Sequence, residues 1–389
     1  MHSQKECRVG QGVKTPPFHG GITGSIPVRG TKKDSSERRV FFLQVHRIFP
    51  KQFLFMFKPV LMAVMLSFIC WTTGSFAQTL KTLNHSSNTS LRGLSVVSDK
   101  VIWASGSLGT VLKSTNGGET FEKLFIKGYE QRDFRDIEAF DEKKAIIMAI
   151  DTPAVILKTT DGGQTWKKVF EDNRPGMFLD AMEFWNELSG IVVGDPIGGK
   201  FFIARTFDGG ESWRGLPEEN YPSATEGESF FAASGTNVVK RNKQEAVFIT
   251  GGLVSRLFIR DQIIELPFTK GSNTIGANSV AVSKKGKILI VGGDYKDPSN
   301  RNNTCFIYNE KANNIKASNV PPFGYRSSVI FLTETKAICC GLSGVDLTED
   351  GGMTWKNITS TGYHVVKKAK KGKGIYLAGA QGKIARLAW

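Results

Sequence analysis

The chain has 389 residues and a formal net charge of +15, a length that suits one large domain or two ordinary ones. The first 77 residues hold 11 of the 51 lysines and arginines but only 3 of the 36 acidic residues, so the rest keeps an excess of 7 positive charges. That mild excess, without basic residues interleaved with aromatics, argues against a nucleic-acid-binding protein. The 42 glycines and 27 phenylalanines, with little helical periodicity, favour short strands joined by turns.

Residues 56–77 have the three parts of a secretory signal peptide. Lys58 supplies the charged start, Val60–Trp71 forms the apolar core, and Ser75–Ala77 gives a small-x-small cleavage site. The apolar core is shorter than the ~20 residues that a membrane-spanning helix needs, so we expect no transmembrane anchor after cleavage. This segment predicts an exported protein, either periplasmic or secreted.

Residues 1–55 precede this signal and are hard to explain as protein. The string GGITGSIPVRGT at Gly20–Thr31 reads like the translation of a transfer-RNA gene. We therefore interpret 1–55 as a mis-assigned, disordered upstream segment and expect translation to start at Met56. The folded part is then one domain, residues 78–389.

A short motif returns four times: Ser or Thr, any residue, Asp or Asn, Gly, Gly, any residue, Ser or Thr, and an aromatic residue. The copies are STNGGETF at Ser114–Phe121, TTDGGQTW at Thr159–Trp166, TFDGGESW at Thr206–Trp213 and TEDGGMTW at Thr348–Trp355. The first three recur after 45 and 47 residues, and the fourth comes 142 residues later. Because that gap is close to three periods, the sequence predicts stacked supersecondary units with two eroded copies in between.

The composition of this motif predicts a tight turn. Its glycines allow positive φ, its Asp or Asn side chain accepts backbone N–H bonds inside the turn, and its aromatic residue packs on a neighbouring unit. The motif resembles the Asp-box, or bacterial neuraminidase repeat (BNR), which marks the blades of β-propellers. We assign structural roles to Asn116, Asp161, Asp208, Asp350, Phe121, Trp166, Trp213 and Trp355.

A second pattern, an apolar strand that ends at Gly or Asp, occurs seven times. Its copies are Val101–Gly106, Ala145–Asp151, Gly190–Asp195, Ala246–Gly252, Ile288–Asp294, Ala337–Gly341 and Ile375–Gly379. We therefore predict an all-β fold, a seven-bladed β-propeller. Ser255–Gln262 and Thr304–Glu310 occupy the places of the two eroded turns. Thr79–Leu83 is similar to the strand that follows the motif, so we expect this N-terminal strand to complete the last blade.

Polar residues recur at two registers of the repeat, and equivalent positions of a propeller form a ring around its axis. Asp151, Asp195 and Asp294 follow the apolar strands directly. The positions before the preceding strands hold Arg92, Arg135, Asp180, Asn278, Arg326 and His364. The fourth unit is ambiguous, although Glu228 lies nearby, and Tyr325 precedes Arg326.

Two interpretations of these rings remain open. In the first, Arg92, Arg135 and Arg326 form a basic face that grips carboxylate groups of a partner, with the other ring residues around them. In the second, the arginines and aspartates pair between neighbouring blades and only stabilise the ring.

The sequence gives no pattern for catalysis, a metal or a cofactor. After residue 77 the cysteines are Cys305, Cys339 and Cys340, which make neither a disulfide framework nor a zinc site. No strand–GxGxxG–helix unit and no redox cysteine pair is present. We expect no catalytic residue, no metal and no cofactor.

Over roughly residues 79–389 the chain resembles the photosystem II stability/assembly factor family. Its members are seven-bladed propellers without known catalysis that hold an assembling membrane-protein partner through an arginine-rich patch, which would map onto Arg92, Arg135 and Arg326. Segments such as Val192–Phe201 resemble a bacterial, non-photosynthetic branch, some of whose members carry an oxidoreductase label that no motif here supports. The resemblance implies a monomeric protein-binding module, with an envelope or membrane-protein assembly as partner.

Two rival functions use the same architecture. A sialidase-like glycoside hydrolase would need an arginine triad, a Tyr nucleophile with a Glu, and an acid/base Asp. The candidates for the Tyr and the Glu are Tyr325 and Glu228. The repeat-related origin of the arginines and the count of seven units argue against it. A ligand-binding or adhesion propeller outside the cell is the second rival.

Overall fold

The computed structural model describes residues 78–84 and 88–388. The upstream segment expected at 1–55 and the signal peptide expected at 56–77 lie outside the described residues. Within the described part, no helix reaches the length and apolarity that a bilayer crossing requires.

The described residues form β-strands that are numbered here in chain order, beginning with β1 (Thr79–Asn84). Blade 1 is β2 (Leu91–Val96), β3 (Ile102–Gly106), β4 (Val111–Ser114) and β5 (Glu122–Leu124); blade 2 is β6 (Phe134–Ala139), β7 (Ala145–Ala149), β8 (Ala154–Thr159) and β9 (Lys167–Asp172). Blade 3 is β10 (Leu179–Phe184), β11 (Gly190–Ile197), β12 (Lys200–Thr206) and β13 (Arg214–Gly215). A 3₁₀ helix (Glu218–Asn220) and β14 (Glu228–Ser229) precede blade 4, which is β15 (Val238–Lys240), β16 (Ala246–Ile249), β18 (Arg256–Ile259) and β19 (Gln262–Glu265), with β17 (Gly251–Gly252) between β16 and β18.

The remaining blades follow the same plan. Blade 5 is β20 (Ile275–Val282), β21 (Ile288–Asp294), β22 (Cys305–Asn309) and β23 (Asn314–Ala317), and β14 and β17 extend its sheet. Blade 6 is β24 (Ser328–Phe331), β25 (Ala337–Gly341), β26 (Gly344–Thr348) and β27 (Lys356–Thr359). Blade 7 is β28 (Val365–Lys368), β29 (Ile375–Ala378), β30 (Ile384–Ala388) and the N-terminal β1, with a 3₁₀ helix (Ala380–Gly382) between β29 and β30.

The blades close into a ring around their first strands. Each first strand contacts the first strand of the next blade, and β28 of blade 7 contacts β2 of blade 1. The first strands therefore lie nearest the axis, and the apolar runs recognised in the sequence form the second strands. The predicted all-β, seven-bladed propeller is confirmed.

Blade 7 takes its outer strand from the start of the domain. β1 pairs with β30 in antiparallel register, with Thr79 opposite Ala388 and Leu80 opposite Leu387. Leu80 also packs on the buried apolar cluster between blades 6 and 7. The prediction that the N-terminal strand closes the last blade is confirmed.

The four motif copies connect the third and fourth strands of blades 1, 2, 3 and 6. In the second copy, Thr159 Oγ1 donates to Asp161 Oδ1 (2.8 Å) and accepts the N–H of Gly163 (2.9 Å). Thr165 donates its hydroxyl to Asp161 Oδ2 (2.5 Å) and its backbone N–H to Oδ1 (3.0 Å). Together with the Thr159 hydroxyl, these bonds from Thr165 hold the pKa of Asp161 well below its usual range.

Both glycines of each copy are required by geometry. In the second copy Gly162 and Gly163 have φ of 82° and 91°, which side chains rarely adopt. A Cβ on Gly163 would also lie 2.4 Å from Leu124 of the preceding blade. The turn therefore serves as a contact between blades, and its closing Trp166 packs on the cluster that contains Leu124.

The two eroded copies fall in blades 4 and 5, as the spacing predicts. In blade 4 only Arg260 and Asp261 separate the third and fourth strands, and Arg260 takes the positive φ (51°). In blade 5 the connection is Glu310–Asn313, with Asn313 at a φ of 43°. Shorter turns thus keep the strand pairing without the motif.

The apolar core is divided among the interfaces between blades. Trp103 of blade 1 packs with Ile147 and Leu157 of blade 2, and Phe201 of blade 3 packs with Phe258 of blade 4. The three cysteines in this part of the chain are buried and unpaired, and burial raises their thiol pKa values. They act as core residues.

Candidate functional site

Four of the axial strands carry a β-bulge at the same register. The pairing with the second strand shifts between Leu91 and Gly93 in blade 1, and at the equivalent point of blades 2, 3 and 5. The extra residue of a bulge is turned away from the regular alternation of the strand. The bulged residues are Arg92, Arg135, Asp180 and Asn278.

Arg326 does not belong to this register, although the sequence pattern placed it there. Gly341 lies against the backbone of Arg326 in blade 6 in the same way as Gly106 lies against the backbone of Leu91 in blade 1. Arg326 is therefore equivalent to Leu91, one position before the residue that would be equivalent to Arg92. Because side chains alternate along a strand, this single step turns Arg326 away from the axis.

The environment of Arg326 is that of a structural residue. Its side chain is fully buried and paired with Asp346, with Nε 2.5 Å from Oδ2. It also donates to the carbonyl oxygen of Tyr325 (2.7 Å), to Ser343 Oγ (2.8 Å) and to the carbonyl oxygen of Phe323 (3.0 Å). Arg326 is therefore removed from the arginine-rich face predicted from the sequence, and Arg92 and Arg135 remain as its candidates.

An open cavity of about 490 Å³ lies on the axis, at the end of the ring where the first strands begin. Five of the expected partner-binding residues line it: Arg92, Arg135, Asp180, Asp195 and His364. A sixth, Tyr325, lines it as well, and so does the ring residue Asn278. The rest of the lining is Phe178, Ser229, Phe230, Phe231, Ala232, Ala233, Asn273, Tyr295 and Leu342.

The segment before blade 4, residues 230–236, forms the floor of the cavity. Its Ser234 hydroxyl donates to the carbonyl oxygen of Ser327 in blade 6 (2.6 Å), and Thr236 Oγ1 lies 2.7 Å from Ser279 Oγ in blade 5. Its carbonyl groups at Ala232 and Ala233 face the arginines of blades 2 and 1. Because it touches opposite sides of the ring, the segment crosses the axis and makes the cavity a blind one.

Arg92 and Arg135 keep hydrogen-bonding capacity for a ligand. Arg92 Nη1 is 3.3 Å from the Ala233 oxygen and Arg135 Nη1 is 3.4 Å from the Ala232 oxygen, both longer than an ordinary bond. Arg135 Nε donates to Asp133 (2.8 Å). Burial and the neighbouring charge of Arg135 lower the pKa of Arg92. Both groups would gain from a carboxylate within reach.

Asp180 and Asp195 form the acidic wall of the cavity on blade 3. Burial, with the like charge of Asp195, raises the pKa of Asp180 well above its usual range, against the opposing effect of Arg135. Burial also raises the pKa of Asp195 to about 6, although one of its oxygens accepts the N–H of Phe230 (2.9 Å). Neither carboxyl has the environment of an ordinary surface carboxylate.

The other polar lining residues are neutral at neutral pH. His364 Nε2 lies 3.0 Å from Ser90 Oγ, and burial, then Arg92 and Arg135, lower its pKa to about 3. The Tyr325 hydroxyl donates to Asn278 Oδ1 (2.9 Å), and burial raises its pKa. These residues fix the shape of the cavity rather than its charge.

An aromatic wall faces the arginines, and sequence reasoning missed most of it. Tyr295 stands edge to face with Phe231 and Tyr325, at centroid distances of 6.0 and 6.5 Å. Tyr295 is 41% exposed. The one signal for it was its place directly after the Asp register, in the string VGGDY.

The remaining expected residues lie outside the cavity lining. Asp151 is exposed at a φ of 67°, and Asp294 Oδ1 accepts the backbone N–H of Lys296 (2.9 Å). Glu228 is buried, paired with Arg256 and hydrogen-bonded to Thr250. The arrangement that a sialidase needs is therefore not assembled in the described residues, because Glu228 and Arg326 are both engaged elsewhere.

The described residues contain no group of His, Cys, Asp and Glu side chains placed to hold a metal ion. What the cavity offers is hydrogen bonding and charge, with guanidinium groups on blades 1 and 2 and carboxyl groups on blade 3, together with aromatic side chains from the segment before blade 4 and from blades 5 and 6. This combination suits recognition of a polar ligand with an apolar portion.

The architecture defines the protein as a seven-bladed β-propeller with a blind axial cavity. A solved structure described as YCF48 bound to D1 peptide matches it with a TM-score of 0.59 and 15% sequence identity, covering 80% of this chain and 97% of that chain. YCF48 from Cyanidioschyzon merolae gives a TM-score of 0.51 and 16% identity, covering 79% and 98%. The WD40 propeller domain of Doa1 gives 0.55 and 10%, covering 79% and 95%. At sequence identities this low, the structural matches show a shared fold alone.

No protein-family model matches the sequence, and no curated protein does.

Proposed function

We propose that this protein is a non-catalytic, exported propeller that binds a segment of a partner polypeptide in its axial cavity. The observation that carries the proposal is the convergence of Arg92 and Arg135, from neighbouring blades, on one open cavity with aromatic walls. Guanidinium groups bind carboxylates with two parallel hydrogen bonds, and aromatic rings cover apolar side chains. An extended segment with an acidic group fits both features.

The match to YCF48 supports this proposal, because that propeller has been solved with a bound peptide. The four Asp-box-like turns and the signal-like segment at 56–77 support an assembly-factor-like, exported protein. The partner would be an envelope or membrane protein during assembly, bound by a monomer. The bacterial branch of the assembly-factor family, which segments of the sequence resemble, is the model for such a role.

Selection from a displayed random heptapeptide library tests the binding proposal. The bait is the full chain, produced in an export-competent host, and sequencing reports which peptides are enriched. We expect enriched peptides that contain Asp, Glu or a free C-terminal carboxylate. The double variant Arg92→Ala/Arg135→Ala should lose them at least tenfold.

A matched control removes the same charge elsewhere: Arg214→Ala/Arg260→Ala, at two exposed positions of blades 3 and 4. Equal enrichment with wild type and the cavity variant would reject the site, and no enrichment at all would reject peptide binding. N-terminal sequencing of the exported protein tests its localisation, with Gln78 as the expected first residue. A product that begins before Met56 would contradict the signal peptide.

A further inference from the structure

We propose that the blade-3 side of the cavity is a second subsite, which takes a positively charged group of the bound segment. This subsite is Asp180 and Asp195 with the rings of Phe178 and Phe230. The inference rests on the proposed function, because it names the chemistry of the segment held there. The partner segment would carry Lys or Arg close to its acidic group.

Asp180 provides the main observation. Asp180 lines the cavity and is 0% exposed, and neither of its carboxyl oxygens has a hydrogen-bond partner among the described residues. The backbone N–H of Asp195 donates instead to the carbonyl oxygen of Phe178 (2.9 Å). Buried polar groups are nearly always hydrogen-bonded in native proteins, so both oxygens lack a partner that a ligand could supply.

The bulge explains why this carboxyl stays in place. The pairing of blade 3 shifts between Leu179 and Ala181, which leaves Asp180 outside the regular ladder and directed to the axis. The strand geometry thus holds an unpaired acceptor at the cavity wall.

Asp195 adds a second acceptor at the same wall. Its Oδ1 accepts the N–H of Phe230, and no residue in the described part of the chain hydrogen-bonds to its Oδ2. Two neighbouring carboxyl groups repel each other when both are ionised, and a cation between them removes that repulsion. Phe178 and Phe230 line the same side of the cavity, and aromatic side chains are favourable neighbours for an ammonium or guanidinium group.

The opposite charges of the cavity are separated by blade. Arg92 and Arg135 come from blades 1 and 2, whereas Asp180 and Asp195 come from blade 3. Arg135 is near enough to Asp180 to oppose its raised pKa, so the two subsites adjoin. His364 lies on the arginine side and is neutral. A segment with an acidic and a basic group side by side therefore complements both.

The first experiment uses n-butylammonium chloride as the probe and thermal unfolding of the full chain as the readout. We expect 100 mM probe to raise the wild-type Tm by about 2 to 4 °C relative to 100 mM sodium chloride, for a Kd of about 10 mM. The variants Asp180→Asn and Asp195→Asn should lose this shift. Because the ligand-induced shift is measured within each variant, a change in basal stability does not affect it.

Asp294→Asn is the matched control, because Asp294 also follows the second strand of its blade but lies one position beyond the blade-5 equivalent of Asp195, which is Gly293, and does not line the cavity. It should keep the full shift. An equal shift in wild type and Asp180→Asn would overturn the subsite. So would a shift with neutral n-butanol as large as with n-butylammonium, since Asp180 would then act as a protonated, uncharged group.

The peptide selection supplies the second experiment. Peptides enriched by wild type should contain Lys or Arg at a fixed spacing from the acidic residue, and selection on Asp180→Asn should lose that basic residue but keep the acidic one. Enriched peptides that need Arg92 and Arg135 but lack any basic preference would overturn the subsite and leave the proposed function intact. A probe shift without enriched peptides would reject the proposed function and keep the subsite.

Discussion

In the outer turn at Thr159–Trp166, the carboxylate of Asp161 accepts three hydrogen bonds, whereas neither oxygen of Asp180 in the axial cavity accepts one from any residue that the structure describes. The bonds of the turn come from residues within six positions of each other, so each motif copy satisfies itself. The cavity residues come from separate blades, and their partners depend on the whole ring. Local satisfaction indicates a structural role, and unmet hydrogen-bonding capacity indicates a place for a ligand.

The largest expected effect separates two arginines that look alike in the sequence. Arg326→Ala leaves Asp346 as an uncompensated buried charge and should lower the free energy of unfolding by about 3 to 5 kcal/mol. Arg92→Ala should change it by less than about 1 kcal/mol, because its hydrogen bond is long and its side chain borders the open cavity. Urea denaturation of both variants measures the difference, and equal losses would contradict the distinction.

Next in size is the loss of a hydrogen bond within an outer turn. Thr159→Val removes the hydroxyl that accepts the Gly163 N–H and should cost about 1 to 3 kcal/mol of unfolding free energy. Thr335→Val, at an exposed position of blade 6, is the matched control and should be nearly neutral. A neutral Thr159→Val would mean that the turns are not structural.

The pH dependence of stability tests the acidic wall. Because the pKa of Asp195 is raised to about 6 from an ordinary 3.8, the folded state holds an extra proton between these values, and its stability falls as pH rises through them. The gain from Asp195→Asn should therefore grow between pH 4 and 6, by about 1 to 3 kcal/mol. Denaturation series of variant and wild type give this difference, and a flat curve would contradict the raised pKa.

His364 should show the opposite sign. Its pKa is lowered to about 3 from 6.5, so stability is lost as pH falls from 6.5 towards 3, where the unfolded chain takes up a proton that the folded protein does not. The stability of His364→Gln relative to wild type should rise over that range as pH falls. The same pH series measures it; a constant difference would show that burial does not affect the imidazole.

The smallest effects are expected at the aspartates outside the cavity. Asp151→Asn and Asp294→Asn should each change the unfolding free energy by less than about 0.5 kcal/mol and leave peptide selection unchanged. Loss of binding in either variant would extend the site beyond the cavity and restore the ring of aspartates expected from the sequence.

The sequence was sufficient for the fold because its signals are local. The two glycines and the Asp or Asn of each motif specify a turn within eight residues, and the seven apolar strands that end at Gly or Asp give the blade count. Even the strand that closes blade 7 was recognisable, because Thr79–Leu83 is similar to the strand after the motif. The register that Arg92 and Arg135 share with Asp180 and His364 also followed from the repeat.

The site was only partly predictable because its geometry depends on single-residue steps. Arg326 and Arg92 occupy the same place in the repeat when the sequence alone is aligned, yet one residue of offset in the structure buries Arg326. The bulge at Asp180 and the course of residues 230–236 across the axis depend on contacts between distant blades. Asp136, buried beside that segment with its pKa raised by burial to about 7, had no signal in the sequence at all.

The pairing of β1 with β30 has a consequence for biogenesis. Residue 79 emerges from the ribosome roughly three hundred positions before its partner at 388. β1 therefore stays unpaired until β30 has been synthesised, whereas the other six sheets can form earlier. Bringing two such distant segments together costs a large loop-closure entropy. β1 and β30 are therefore expected to pair last, and until they do, β1 remains accessible to a chaperone or a protease.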